Sequence, residues 1–207
     1  MKPILDNIYC FREKTIGDSN SYLLMGEKNI LIDSGGIGFE KERIAQIEQV
    51  LKLSELDLII NTHCHGDHIG GNKLLKEAGA KLAVHKLDAP HVEVADEYTI
   101  MQPAEGVEVD IKFEEGEKFA GFEVIHTPGH SEGSICLYDS ETKTLISGDT
   151  IFPQGVGRTD FIGGNIEKLH ESLKKLRELD VENLLAGHME PIIGGAREAI
   201  ESSAGMF

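Results

Sequence analysis

The sequence predicts an α/β protein in four layers, with two sheets inside and helices outside. Short apolar runs bounded by turn residues alternate with segments of helical period. Strands, a loop bearing histidine and aspartate, and a helix occur once in each half. No low-complexity linker divides the chain, so a single domain is expected over residues 1–207.

Ile4 to Phe11 reads as a strand, and Gly17-Asp18-Ser19-Asn20 as a turn. Ser21 to Met25 and Asn29 to Ile32 read as a hairpin around Gly26-Glu27-Lys28. Asp33-Ser34-Gly35-Gly36 breaks the pattern. Phe39 to Leu51 has Ile44, Ile47, Val50 and Leu51 in helical phase. Leu56 to Asn61 is a strand, a helix runs from about Asp67 to Ala78, and Leu82 to His85 is a short strand. Residues 86–110 are irregular and acidic, with Pro90 and Pro103. They read either as a solvated excursion or as a loop at a site mouth, with Tyr98, Ile100 and Met101 as its apolar members. Lys118 to His126, Ser134 to Tyr138 and Thr144 to Ser147 are strands, followed by a Gly-rich loop from Gly148 to Gly164. Ile166 to Leu179 is an amphipathic helix with Ile166, Leu169, Leu173 and Leu176 in phase. Val181 to Ala186 is the last strand and Ala196 to Ser203 the last helix.

Composition sets bounds. Against 36 acidic residues stand 20 basic ones, a formal net charge of −16. Such a surface repels phosphates, so a nucleic-acid partner is not expected. Cys10, Cys64 and Cys136 are odd in number and scattered, which points to a reducing cytosol. The N-terminus carries no secretory pattern, and no apolar window is long enough for a membrane span. Cytoplasmic location and a small-molecule substrate are expected, and oligomeric state is left open.

One stretch organises the rest: Asn61-Thr62-His63-Cys64-His65-Gly66-Asp67-His68, directly after the apolar run ending at Ile60. His63 and His65 are two apart, so on an extended segment they face the same side. They can share one ion at roughly 2.0–2.1 Å per nitrogen. Asp67 and His68 lie one turn on and can serve a second ion. Cys64 points the opposite way and reads as packing rather than nucleophile. Three further ligand-capable side chains sit on strand-end loops beside glycine: His130 in Thr127-Pro128-Gly129-His130, Asp149 in Ser147-Gly148-Asp149, and His188 in Ala186-Gly187-His188. Singly each reads as a cap or a solvated polar group. Beside the first motif, the metal reading is the stronger. His85, His91, His126 and His170 fit no motif, and His170 is expected at the surface.

The H-x-H-x-D-H run, with the later T-P-G-H, S-G-D and A-G-H, resembles the metallo-β-lactamase superfamily. The resemblance implies an αββα sandwich holding two divalent ions, zinc first, with iron or manganese compatible with the same nitrogen and oxygen donors. It implies that His63, His65 and His130 bind the first ion. Asp67, His68 and His188 bind the second, Asp149 bridges, and Asp33 holds the first loop from behind. The run from Gly148 through Gly157-Arg158-Thr159-Asp160-Phe161 is similar to the glyoxalase II branch and to its relative, the persulfide dioxygenase. Glyoxalase II proper continues into a C-terminal helical domain that binds glutathione. This sequence reads as a short form ending at Phe207.

The implied chemistry is hydrolysis by a hydroxide bridging two ions, with Asp67 and Asp149 as its carboxylates. A thioester suits it, because the leaving thiolate, with a pKa near 8.5, departs without much protonation. A lactone needs more help, for which Tyr98 is a candidate acid. Arg158 either contacts an anionic substrate group, with Asp160 orienting it, or pairs with Asp160 to brace the loop. A mononuclear iron persulfide dioxygenase and a lactonase are the alternatives to the thioesterase.

Overall fold

The computed structural model describes residues 1–100 and 105–205. Met101 and Pro103 of the acidic excursion, and the chain end at Phe207, lie outside the described residues. The chain divides into two compact units, Met1–Lys112 and Phe113–Phe207.

The first unit holds strands β1 (Ile8–Phe11), β2 (Ser21–Leu24) and β3 (Ile30–Ile32), then helix α1 (Glu40–Ile47). It continues through β4 (Leu58–Ile60), α2 (Gly66–Ile69), α3 (Asn72–Glu77), β5 (Lys81–His85) and α4 (Ala89–Val94) to β6 (Ile111–Phe113), whose last residue is the first of the second unit. The six strands form one sheet in sequence order. β1, β2 and β3 are antiparallel neighbours, as sequential strands joined without a crossover helix are. β3, β4 and β5 are parallel, because helices carry the chain back between them. The central strands are apolar throughout, as expected for a sheet covered on both faces. Phe11, Leu23, Leu31, Ile47, Ile59, Leu75 and Leu82 make the core.

A buried ion pair pins the β1–β2 connection to α1. Arg43 Nη2 lies 3.1 Å from Asp18 Oδ1, and Nη1 donates to Phe11 O at 2.7 Å. Asp18 also accepts from Gly36 N at 2.9 Å. Burial pulls the guanidinium pKa down while Asp18 opposes the shift. Breaking such a pair strands a buried charge, which costs far more than the intact pair contributes.

The second unit holds β7 (Lys118–Phe119), β8 (Phe122–His126), β9 (Ile135–Asp139), β10 (Thr144–Gly148), β11 (Ile151–Phe152) and β12 (Gly155–Val156). Then come α5 (Ile166–Arg177), β13 (Asn183–Ala186), β14 (Ile192–Ile193) and α6 (Ala196–Ala204). Its main sheet runs β14-β13-β10-β9-β8-β7. α5 buries Leu169, Leu173 and Leu176, its N-cap Asn165 accepts from Lys168 N, and Lys174, Lys175 and Arg177 sit at its negative end. These leucines pack with Leu145, Leu184 and Ile200.

The fold class is the α/β class expected, with a sheet and helices in each half, and several elements differ from expectation. The strand expected from Ile4 begins at Ile8, and the helix expected to reach Leu51 ends at Ile47 and continues as turns. The helix expected from Asp67 to Ala78 is split at Gly70-Gly71. A Cβ on Gly70 would stand 2.3 Å from the Gly36 carbonyl carbon. The two backbones touch there, and the chain bends to allow it. The acidic excursion is not wholly irregular. It contains α4, which buries Ala89 and Val92, and a 3-10 turn at Glu97–Thr99. The strand expected over Lys118 to His126 is a hairpin, turned by Ala120 and Gly121 in left-handed conformations. The Gly-rich loop contains the β11–β12 hairpin.

The Gly36–Gly70 contact makes a direct prediction. Gly70→Ala should cost on the order of 2 kcal/mol or more, a melting-point loss of several degrees. Gly26→Ala, whose Cβ meets nothing closer than 3.7 Å, should stay within about 0.5 kcal/mol. Thermal unfolding of the two variants checks both; equal melting points would refute the close contact.

Candidate metal centre

In each unit the ligand-capable residues lie where parallel strands end, the place α/β sheets present to ligands. In the first unit Asp33 follows β3 and the histidine loop follows the parallel strand β4. In the second, β8 and β10 are both antiparallel to β9, so they run the same way, and β13 is parallel to β10. His130, Asp149 and His188 follow β8, β10 and β13 and so share one sheet end.

The first unit builds its loop around the buried Asp33, held at a left-handed φ of 56°. Aspartate tolerates that conformation better than most side chains. Asp33 Oδ1 accepts from Thr62 N at 2.8 Å, and Oδ2 accepts from Thr62 Oγ1 at 2.9 Å. Oδ2 also lies 2.7 Å from His68 Nδ1. A carboxylate only accepts, so Nδ1 of His68 carries the proton and Nε2 keeps the lone pair. The Thr62 hydroxyl spends its proton on Asp33 and lies 3.0 Å from His63 Nδ1, which gives His63 the same tautomer. The His63 ring is 4.6 Å from that of His65 and 4.1 Å from that of His68. His68 Nε2 is 3.9 Å from Asp67 Oδ2, and the Asp67 side chain is 19% exposed.

Polar contacts fix the loop from outside. Ser34 N and Oγ both donate to His68 O, and Asn72 Nδ2 donates to Asn61 Oδ1 at 2.7 Å. Cys64 N donates to Asp88 Oδ2 at 2.9 Å, while Cys64 Sγ points to Tyr98 O at 3.6 Å. Cys64 is therefore a packed residue. Burial, reinforced by Asp88, pushes its thiol pKa well up.

In the second unit His130 Nδ1 lies 2.8 Å from Arg158 O, so its Nε2 also keeps the lone pair. Nε2 of His130 stands 3.5 Å, and Nε2 of His188 3.3 Å, from Asp149 Oδ2. These spacings suit donors around a shared ion, since two ligands of a tetrahedral site at ~2.0–2.1 Å lie roughly 3.3 Å apart. Gly187 N donates to Gly148 O at 2.8 Å, tying the His188 turn to the Asp149 turn. A Cβ on Gly157 would stand 1.9 Å from Asp149 O and 3.1 Å from His130 Cγ, so only glycine fits there.

Arg158 forms a two-point ion pair with Asp160, Nε to Oδ1 at 2.9 Å and Nη2 to Oδ2 at 2.6 Å. Its guanidinium lies 4.2 Å from the Phe161 ring centre. The Arg158 hydrogen bonds hold the Asp160 pKa down at about 2. The Tyr98 ring stacks on His91 at 3.9 Å, and His91 Nδ1 meets Asp96 Oδ2 at 2.8 Å. His170 is half-buried, not exposed as expected, because it shares a groove with His126 and Pro128. Sequence reading missed Thr62, Asp88, Gly157 and the Arg158 carbonyl. Thr62 had a signal in its place beside His63. A backbone carbonyl has none.

Buried imidazoles with Nδ1 already bonded, beside carboxylates, fit a divalent metal ion: the donor atoms left over are Nε2 and carboxylate oxygen. The structure thus defines an α/β protein with histidine- and aspartate-rich metal-binding loops at its strand ends. The profile of the metallo-beta-lactamase superfamily matches residues 15–188, and the chain belongs to that family. It is similar to the "Probable metallo-hydrolase MJ0888" of Methanocaldococcus jannaschii, 37% identical over 185 residues, 83% of this chain and 88% of that one. It is 33% identical over 180 residues to the hydroxyacylglutathione hydrolase of Pelagibacter ubique, 84% of this chain and 68% of that one. Among solved structures it resembles TTHA1623 in a di-iron-bound form, with TM-score 0.73 and 34% identity, over 87% of this chain and 92% of that one. No helix among the described residues is long and apolar enough to cross a membrane.

The three cysteines are buried, and burial raises the Cys136 pKa to about 11. A raised pKa leaves the Cys64 and Cys136 thiols protonated and unreactive at pH 8, and burial shields Cys10. Iodoacetamide should therefore label none of the three in the native protein and all three in denaturant, read by intact mass. Native labelling of Cys64 would show that its loop opens.

Proposed function

We propose that this chain is a dinuclear metal-dependent hydrolase acting on a thioester of the hydroxyacylglutathione type. His63, His65 and His130 would hold one ion, and Asp67, His68 and His188 the other, with Asp149 available to both. The observation that carries the reading is the approach of two histidine Nε2 atoms to one Asp149 oxygen, at 3.5 and 3.3 Å, with His130 Nδ1 already bonded. The names of the relatives support it: a probable metallo-hydrolase, a hydroxyacylglutathione hydrolase and a di-iron protein. Zinc, iron and manganese all suit the donor set, zinc foremost.

When bound, two such ions lower the pKa of water towards ~7 and polarise a carbonyl. The chain's own residues do the rest. Asp33 and Thr62 hold the rings of His68 and His63 in their donor tautomers. Asp149 is nearly sealed, at 8% exposure, and serves as a holder of charge. The Asp67 side chain is more open, at 19% exposure, and would accept a hydrogen bond from a water entering there. No acid is required for a thiolate leaving group. A lactone would need one, and the Tyr98 ring, committed to its stack on His91, is poorly suited to supply it.

The test is metal content together with a panel of S-lactoylglutathione, an acyl-lactone and glutathione persulfide. Two ions per chain and turnover of the thioester are expected. One iron per chain with oxygen uptake on the persulfide would replace the hydrolase reading with a dioxygenase. Asp149→Asn should lose more activity than the roughly 10–100-fold typical of residues that only orient ligands, along with metal. His65→Ala and His130→Ala should each lose one ion per chain, measured by mass spectrometry of the metals. Retention of both ions in either variant would break the assignment.

A further inference from the structure

Arg158 has two parts with separate partners. Its carbonyl accepts from His130 Nδ1 at 2.8 Å. Its guanidinium forms a fork on Asp160, two residues on, and lies over Phe161. A fork from residue i to i+2 closes a ring across the peptide of Thr159 and stiffens the segment that carries the carbonyl. The strap is pinned on both sides. Gly157 N donates to Thr150 O at 3.3 Å, next to Asp149, and Asn165 N donates to Gly129 O at 2.8 Å, next to His130. Between those pins, the Arg158–Asp160 ring encloses the peptide that carries the Arg158 carbonyl, and the Gly164 N to Phe161 O bond at 2.9 Å closes the turn after it.

We propose that Arg158 and Asp160 are positioning residues for His130: the side-chain pair holds the Arg158 carbonyl where it keeps the proton on His130 Nδ1 and the lone pair on Nε2. The pair stands about two-thirds exposed. Exposed pairs contribute little to global stability, so its effect is local. The guanidinium is occupied by its own carboxylate and ring, which leaves its charge neutralised before any anionic substrate arrives. The consequence for metal binding rests on the reading of His130 as a ligand.

Nuclear magnetic resonance of the imidazole nitrogens in the metal-free protein tests the claim. The wild type should show His130 protonated at Nδ1, with a slowly exchanging proton there. In Arg158→Ala and Asp160→Asn that proton should exchange faster and the two tautomers should mix. Asp160→Glu, which keeps both acceptor oxygens, should restore the wild-type signal. Melting points should be unchanged throughout. Metal affinity in the first two variants should fall roughly 10–100-fold, the range for groups that orient a ligand histidine. Unchanged proton exchange in Arg158→Ala overturns the proposal, and a raised KM with unchanged metal affinity would assign Arg158 to the substrate instead. If the wild type binds no divalent ion, the hydrolase reading fails, while the exchange measurement still decides the positioning role.

Discussion

A buried imidazole donates to an ion only from the nitrogen that carries no proton, so something else must hold the proton on the other nitrogen. The rest of both loops is arranged around that constraint. In the first unit one carboxylate meets it for two rings: Asp33 faces His68 Nδ1 directly and reaches His63 through the Thr62 hydroxyl. In the second unit a backbone carbonyl does the same for His130. A partner able both to donate and to accept would leave the tautomer open. A carboxylate or carbonyl settles it, because neither can donate.

Meeting the constraint shapes the backbone. Asp33 must sit in a left-handed conformation to turn its carboxylate under the loop. Such conformations persist only where the surroundings over-determine them, and here four contacts do so. Asp33 N donates to Ile60 O, and its carboxylate engages Thr62 twice and His68 once. Close backbone approach supplies the remaining stiffness. Gly36 lies against Gly17, Gly70 against Gly36, and Gly71 against Ser34, so the helix bearing Asp67 and His68 is seated backbone to backbone on the strand-end turns.

What was legible in the sequence follows from range. His63, His65, Asp67 and His68 lie within six residues, and their spacing alone places them together. α5 was legible because its leucines repeat over three turns. The break at Gly70-Gly71 was not, since its cause is a backbone 34 residues away, and the glycine pair reads equally well as a tolerated fault in one helix. α4 hid inside an acidic stretch because it is short and buries only Ala89 and Val92. The turn at Ala120 was missed because alanine gives no signal for a left-handed conformation. Asp88 could not be linked to Cys64 by any pattern, for the same reason of distance along the chain.

Arg158 shows why chemistry was easier to read than substrate. A histidine beside glycine at a strand end has few alternative uses once two other ligand-capable side chains share the pattern, so its role is constrained by number. An arginine in a loop can pair, stack, bind an anion or lend only its carbonyl, and its identity does not choose among these. Here the side chain is committed to Asp160 and Phe161, and the part nearest the metal-binding residues is the carbonyl that any amino acid would bring. Residue type therefore mattered at a distance from the atom that acts. On the proposed role, the side chain shapes the strap, the strap places the carbonyl, and the carbonyl holds the proton on His130 Nδ1.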